Sequence, residues 1–200
     1  MTSASASTTS ARTTDEEEGR PQEALKRVAV SLKQSGVPFA LAGGYAAWAH
    51  GGPEPDHDVD FVVRLDDAEQ AYAALEDAGL RVEQPPEDWL FKVYTDGTMV
   101  DVVHRLNSSP VDTAVLDRAD EQEVLSIVMP VLSATDVLTS KLNALEEHYC
   151  DYSKLLPVAR ALREQVDWET VRREVDGNDF AVVFLQLLGR LGVVGEVDAA

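Results

Sequence analysis

Apolar positions recur along this chain in two rhythms. Over 22–35, Leu25, Val28, Ala29 and Leu32 share one helix face, and Gly36 supplies a stop. Val37 and Pro38 then lead into an apolar run ending near Ala42, which predicts the first strand. Gly43-Gly44 turns the chain into a short helical segment carrying Tyr45, Trp48 and Ala49. After a Gly/Pro-rich loop, Val59, Phe61 and Val63 alternate with Asp58 and Asp60, as a strand running to about Leu65 does. Asp66 and Glu69 form a capping box for a helix whose apolar face is Ala68, Ala71, Tyr72 and Leu75. A short strand over 80–83 follows, and Pro85-Pro86 marks a loop. Segments 89–94 and 98–104 flank Asp96-Gly97, a strong hairpin signal. Residues 111–119 predict a helix and 124–131 one further strand.

From Ser133 onward the rhythm is helical. Ser133-x-x-Asp136 caps a helix expected to continue to Tyr149, with Leu138, Leu142, Leu145 and Tyr149 on its apolar stripe. Further helices are predicted over 152–165, with Pro157 inside it, over 168–175 behind the cap Asp167, and over 180–188. Strands in the middle and helices at the end predict an α+β fold, a mixed β-sheet flanked by helices with a C-terminal helical appendage. The expected division is a disordered tail over 1–20, a core over 21–132 and a helical region over 133–195. The tail rests on its Ser/Thr/Ala-rich, polar composition.

Composition narrows this picture. Apolar residues make up 44% of the 200, enough for one domain with a real core. No run approaches the ~18 apolar residues of a membrane span, and no apolar segment near the start reads as a secretory signal. Cys150 is the lone cysteine, which excludes an internal disulfide and suggests a reducing, cytoplasmic setting. The net charge of −19 weighs against a broad nucleic-acid-binding surface. It leaves room for a local one, and Lys154, Arg160, Arg163, Arg172 and Arg173, set among Glu164, Asp167 and Glu169, are the candidate patch.

Candidate chemistry centres on acidic strand positions. Asp58 and Asp60, two apart, are expected to project from one strand face. Neighbouring carboxylates repel unless a positive charge joins them, and a hard divalent cation with oxygen ligands suits such a pair. Asp101 lies within the apolar strand Met99-Val100-Asp101-Val102-Val103, where an uncompensated carboxylate is costly. Gly43 and Gly44 allow close backbone approach to an anion. The four histidines, His50, His57, His104 and His148, form no zinc pattern and read as structural or solvated, and Cys150 reads as a small buried residue.

Taken together, Gly-Gly, a short helix, a loop and Asp-x-Asp on a strand resemble the polymerase-β-like nucleotidyltransferase superfamily. Lys141 and Asp151 extend the resemblance, over about residues 22–175, to the branch containing AbiEii-type toxins of toxin–antitoxin systems. The resemblance implies a nucleotidyltransferase-like fold. It also implies Mg²⁺ held by Asp58, Asp60 and Asp101, an NTP whose phosphates meet Gly43, Gly44 and Lys141, and a catalytic set of Asp58, Asp60, Asp101, Lys141 and Asp151. Asp151 would orient Lys141 or act as base. Two departures stand out. Many relatives carry Gly-Ser where this chain has Gly-Gly, and Cys150 replaces the basic residue before Asp151. The implied reaction moves an NMP from an NTP to a hydroxyl acceptor. That acceptor would be the tRNA 3′ end, with an antitoxin protein as partner. The alternatives are a small hydroxylated molecule of the aminoglycoside type, or a non-catalytic nucleotide- or partner-binding member of the same fold.

Overall fold

The computed structural model describes residues 12–55, 58–95 and 97–194, with side chains from residue 21 on. Elements follow in the order α1 (Arg12–Ser35), β1 (Phe39–Ala42), α2 (Gly43–Ala49), β2 (Val59–Val63), a 3₁₀ turn (Leu65–Asp67), α3 (Ala68–Asp77), β3 (Arg81–Glu83), β4 (Leu90–Thr95) and β5 (Thr98–Val103). A small hairpin comes next, β6 (Arg105–Leu106) and β7 (Ser109–Pro110), then α4 (Thr113–Asp117), β8 (Asp120–Val124) and β9 (Ile127–Val131). The chain closes with α5 (Ala134–Asn143), α6 (Tyr152–Leu162), α7 (Trp168–Val175) and α8 (Asp179–Arg190). The expected tail over 1–20 falls partly outside the described residues, and its later part has helical backbone from Arg12 on.

Seven strands form one mixed sheet in the order β3-β4-β5-β2-β1-β9-β8. β1 and β2 are antiparallel, whereas β2 runs parallel to β5 and β1 parallel to β9. Register assigns the two faces. Phe39 and Leu41 stand beside Val63 and Phe61, and Phe61 beside Val102 and then Phe91. This face is apolar and lies under α1 and α3, with Phe39 against Phe61 at 5.8 Å and Tyr72 of α3 against Phe91 at 5.5 Å between ring centroids. The opposite face carries Ala42, Asp60, Asp101 and Lys92 in one lateral row. The fold is thus α+β, a mixed sheet flanked by helices, and its polar row lies on the face that α1 leaves open.

Several local expectations are corrected. The segment predicted as one strand over 124–131 is a hairpin, β8 and β9, turning at Leu125 (φ 50°) and Ser126 (φ 68°). Both turn residues are left-handed without the Asn-Gly signature of such turns. The helix over 111–119 shortens to α4. Asp66 and Glu69 form no capping box: α3 follows a 3₁₀ turn, and Asp67 at its N-cap accepts from Arg64 Nε at 2.5 Å instead. Helix α5 stops at Asn143 rather than Tyr149, because Asn178 Nδ2 donates to the carbonyls of Leu142, Asn143 and Leu145 and closes the helix end from outside. Tyr149, expected in the apolar stripe, is exposed. The hairpin turn at Asp96 lies outside the described residues, as does His57. Among the described residues, no helix is long and apolar enough to cross a membrane.

Candidate active site

The site is assembled where β1 gives way to α2. Gly43 has φ +61°, and a Cβ placed on it would lie 1.8 Å from Asp60 Oδ2. Glycine is therefore required twice, by backbone conformation and by the Asp60 carboxylate that fills the space of a side chain. Gly44 is similarly confined, since a Cβ there would lie 2.8 Å from Pro55 Cβ. The N-cap Ala42 offers no side-chain acceptor, so the first amides of α2 have no side-chain cap.

Register then sets the charges. Asp60 of β2 is the direct neighbour of Asp101 on β5, and Asp101 is the direct neighbour of Lys92 on β4. Lys92 Nζ donates to Asp101 Oδ1 at 3.0 Å, with both side chains about three-quarters buried. Asp58 lies just before β2 and is exposed, and it lines the same cleft as Asp60 and Lys141. It still acts on Asp60 through its charge. Lys141 reaches the same group from α5, whose N-terminus is fixed by Ser133. The Ser133 Oγ accepts from the Asp136 amide at 3.1 Å, as the capping box predicts, and donates to Asp136 Oδ2 at 2.7 Å. Helix α5 packs on α2, which brings Lys141 over the carboxylates.

Burial pushes the Asp60 carboxyl up to about 6; Asp101 and Asp58 add to the rise, and Lys141 and Lys92 oppose it. Burial likewise lowers Lys141 below the ordinary lysine value, while Asp60 and Asp58 pull it back. A carboxylate that strains to lose its charge beside two others is in electrostatic deficit of a cation. Oxygen donors of this kind fit a hard divalent ion. Among the described residues, however, no three acidic, His or Cys side chains converge as a ready-made metal cage. Asp60 leans on the glycine turn and Asp101 on Lys92, so the donors are adjacent but not yet gathered.

Two clefts meet at this group. One, of about 510 Å³, is lined by Gly43, Asp60, Lys141, Trp89, Arg105 and Asn107, among others. The other, of about 440 Å³, is lined by Gly44, Glu54, Asp58, Asp60, Lys141 and Lys154, among others. Asp60 and Lys141 stand in both walls. Asp101 lies beside Asp60 without lining either.

Gly43, Gly44, Asp58, Asp60 and Lys141 thus line the two adjoining clefts, with Asp101 beside Asp60. The family described as uncharacterised nucleotidyltransferase matches residues 7–190. The chain belongs to this nucleotidyltransferase family. No curated protein matches it. Among solved structures, ANT(2″)-Ia in complex with adenylyl-2″-tobramycin superposes with a TM-score of 0.56 at 15% identity, over 82% of this chain and 97% of that one. An antigenic nucleotidyltransferase-like protein from Paracoccidioides brasiliensis gives 0.55 at 11% identity, over 90% and 94%. At such identities the likeness is one of fold.

In this nucleotidyltransferase, Asp151 stays apart from the group. It caps α6, accepting from the Ser153 amide at 3.0 Å and the Ser153 hydroxyl at 2.6 Å. The Ser153 hydroxyl bond lowers its pKa, and it lines neither cleft. His50 is buried, with Nε2 donating to the Leu132 carbonyl at 2.7 Å and Nδ1 lying 3.1 Å from both Gln165 Oε1 and Gln122 Nε2. His104 is also buried and His148 exposed. Cys150 is half-buried rather than enclosed. Sequence reasoning missed Lys92 and the cleft residues Trp89 and Arg105. Lys92 was within reach: a two-residue turn at Asp96-Gly97 pairs Thr95 with Thr98, and counting back along the hairpin sets Lys92 opposite Asp101.

Proposed function

We propose that this enzyme transfers an NMP from an NTP to a hydroxyl group of a small, polyhydroxylated, cationic acceptor, releasing pyrophosphate. The observation that carries the reading is the pairing of Asp60 with Asp101 beneath Lys141, where the two clefts meet. One cleft would receive the nucleotide and the other the acceptor. Asp58, Asp60 and Asp101 would hold Mg²⁺, which when bound supplies positive charge to the phosphates. The uncapped amides at Gly43 and Gly44 and the Lys141 ammonium bind and orient the triphosphate. The acceptor oxygen attacks the α-phosphorus, the bond to the bridging oxygen of the pyrophosphate breaks, and pyrophosphate leaves with the electron pair. Asp101 meets Lys92 through Oδ1, and its second oxygen is the one assigned the acceptor's proton. Asp151, occupied as a helix cap, is given no part in proton transfer.

Charge selects the acceptor class. At −19 the molecule repels polyanions and attracts cations, and Glu54, Asp58 and Asp88 add negative side chains to the cleft walls. ANT(2″)-Ia, whose structure holds an adenylylated tobramycin, supports the same class by fold analogy. A second reading keeps the AbiEii-like resemblance, with the tRNA 3′ end as acceptor, an antitoxin partner and a cytoplasmic setting. Lys154 in the wall of the second cleft favours it.

The test is incubation with α-labelled NTPs, Mg²⁺ and two acceptor pools, amino-sugar antibiotics and total tRNA. Label on the small molecules, lost in Asp60→Asn, is the expected result. Label on tRNA alone replaces the small-molecule reading with the second. Binding of NTP without transfer to either pool leaves a non-catalytic nucleotide-binding protein and overturns the proposed reaction.

A further inference from the structure

The row of charge on the open sheet face contains one member, Lys92, to whose charge the proposed reaction assigns no step. Lys92, Asp101 and Asp60 are successive register partners on β4, β5 and β2, so their side chains leave the same face on adjacent strands. Strands lie about 4.8 Å apart, which spaces the three as closely as a sheet allows. The Lys92 ammonium bonds to Asp101 Oδ1 at 3.0 Å and touches Met99 Sδ at 3.4 Å, in a position only a quarter exposed. Lys141 faces Asp60 from the other side. Two carboxylates are therefore bracketed by two ammonium groups, and the donors are not gathered around a common point.

We infer that Lys92 is a resident counter-cation of the site, which holds Asp101 in the metal-free protein and weakens the binding of a free divalent ion there. The inference rests on the proposed carboxylate metal site. Any ion shared by Asp60 and Asp101 stands within a few ångströms of the Lys92 ammonium. Like charges at that range, in a partly dry setting, oppose each other more than they do in bulk water. The ion must also displace Lys92 from Asp101 Oδ1 or accept a donor already engaged. An NTP removes this opposition, because its phosphates bring negative charge to offset both the ion and Lys92. The consequence is ordering: the protein alone holds a divalent ion poorly, and the metal is retained once the triphosphate has arrived. Lys92 in this account is a positioning residue that acts through Asp101.

The test is direct binding of Mn²⁺ to the full chain without nucleotide, followed by the EPR signal of the free ion, at about pH 8 where carboxylates are ionised. Lys92→Met, which keeps the unbranched stem one atom shorter and removes its charge, is expected to bind Mn²⁺ at least about fivefold more tightly than wild type. Lys92→Arg should keep the weak wild-type affinity, and Asp60→Asn should lose saturable binding. Adding a non-hydrolysable NTP should tighten wild type more than Lys92→Met. If Lys92→Met gives no cooperative melt, Lys92→Gln answers the same question. Equal or weaker Mn²⁺ binding in a folded, uncharged Lys92 variant overturns the inference while leaving the metal site standing. Absence of any saturable binding that depends on Asp60, with nucleotide present, overturns both.

Discussion

At the scale of single residues, the site depends on a carboxylate that the fold tolerates at a cost. Asp60 is pressed between the Gly43 backbone, Asp101 and Lys141, and its carboxyl is pushed up to about 6 from an ordinary value of 3.8, by burial first. An acid held above its unfolded value binds its proton more tightly when folded, so ionising it costs stability. That cost is absent below the unfolded value and complete above the folded one. In chelator, wild type should therefore lose stability relative to Asp60→Asn as pH rises from about 4 to about 7. The expected change is about 2 kcal/mol, allowing for the part of the side chain that water reaches. Urea unfolding of both proteins at the two ends of this range measures it, and a difference that stays constant contradicts the assigned environment. The same residue explains why Gly43 is legible as a requirement. Its glycine answers to a neighbouring strand, and the proposed phosphate contact would be a second use of the same turn.

At the scale of elements, the helix that carries Lys141 is held at its start by a local cap and at its end by a side chain distant in sequence. Ser133 and Asp136 close its start, and Arg118 adds two bonds to Asp136 at 2.7 and 3.1 Å. Asn178 closes its end by donating to three α5-terminal carbonyls while its Oδ1 accepts from the Ala181 amide and caps α8. Asn178→Ala removes both functions and is expected to cost about 2–3 kcal/mol in urea unfolding. A loss below about 0.5 kcal/mol would mean that water replaces the asparagine without penalty. The start of α5 was legible in the sequence, because a capping box is a local signal. Its end was not, because the group that terminates it lies on another helix. The β8–β9 hairpin was illegible for a related reason. Leu125 occupies a left-handed turn position that local preference assigns to asparagine or glycine, and its side chain packs against the core.

At the scale of the whole molecule, charge and topology act together. The chain carries −19 over a sheet whose open face collects Asp60 and Asp101, and self-repulsion of this size lowers the stability of any compact state. Salt screens it over about 10 Å at 0.1 M. The melting temperature should therefore rise by about 2–4 °C between about 20 and 300 mM NaCl, a gain of roughly 1 kcal/mol for a domain of this size. A melting temperature that falls with salt would show that the attractive pairs, Lys92–Asp101 and Arg118–Asp136 among them, outweigh the net repulsion. The same field disfavours a polyanionic acceptor, the property of the entire surface on which the proposed acceptor class rests.

The sequence by itself determined the α+β class, most of the strand and helix positions, the glycine turn and the identity of the acidic strand residues. These follow from period, turn chemistry and the penalty on charge within apolar strands, all of which operate over a few residues. Only the tertiary structure decided which carboxylates meet. Parallel pairing of β2 with β5 joins Asp60 to Asp101 across a long stretch of chain, the packing of α5 on α2 sets Lys141 above them, and Asp151 is left as a helix cap. The physical reason is that pairing between distant strands and packing between distant helices are fixed by burying the apolar face beneath α1 and α3. The composition of the opposite face does not by itself state its geometry.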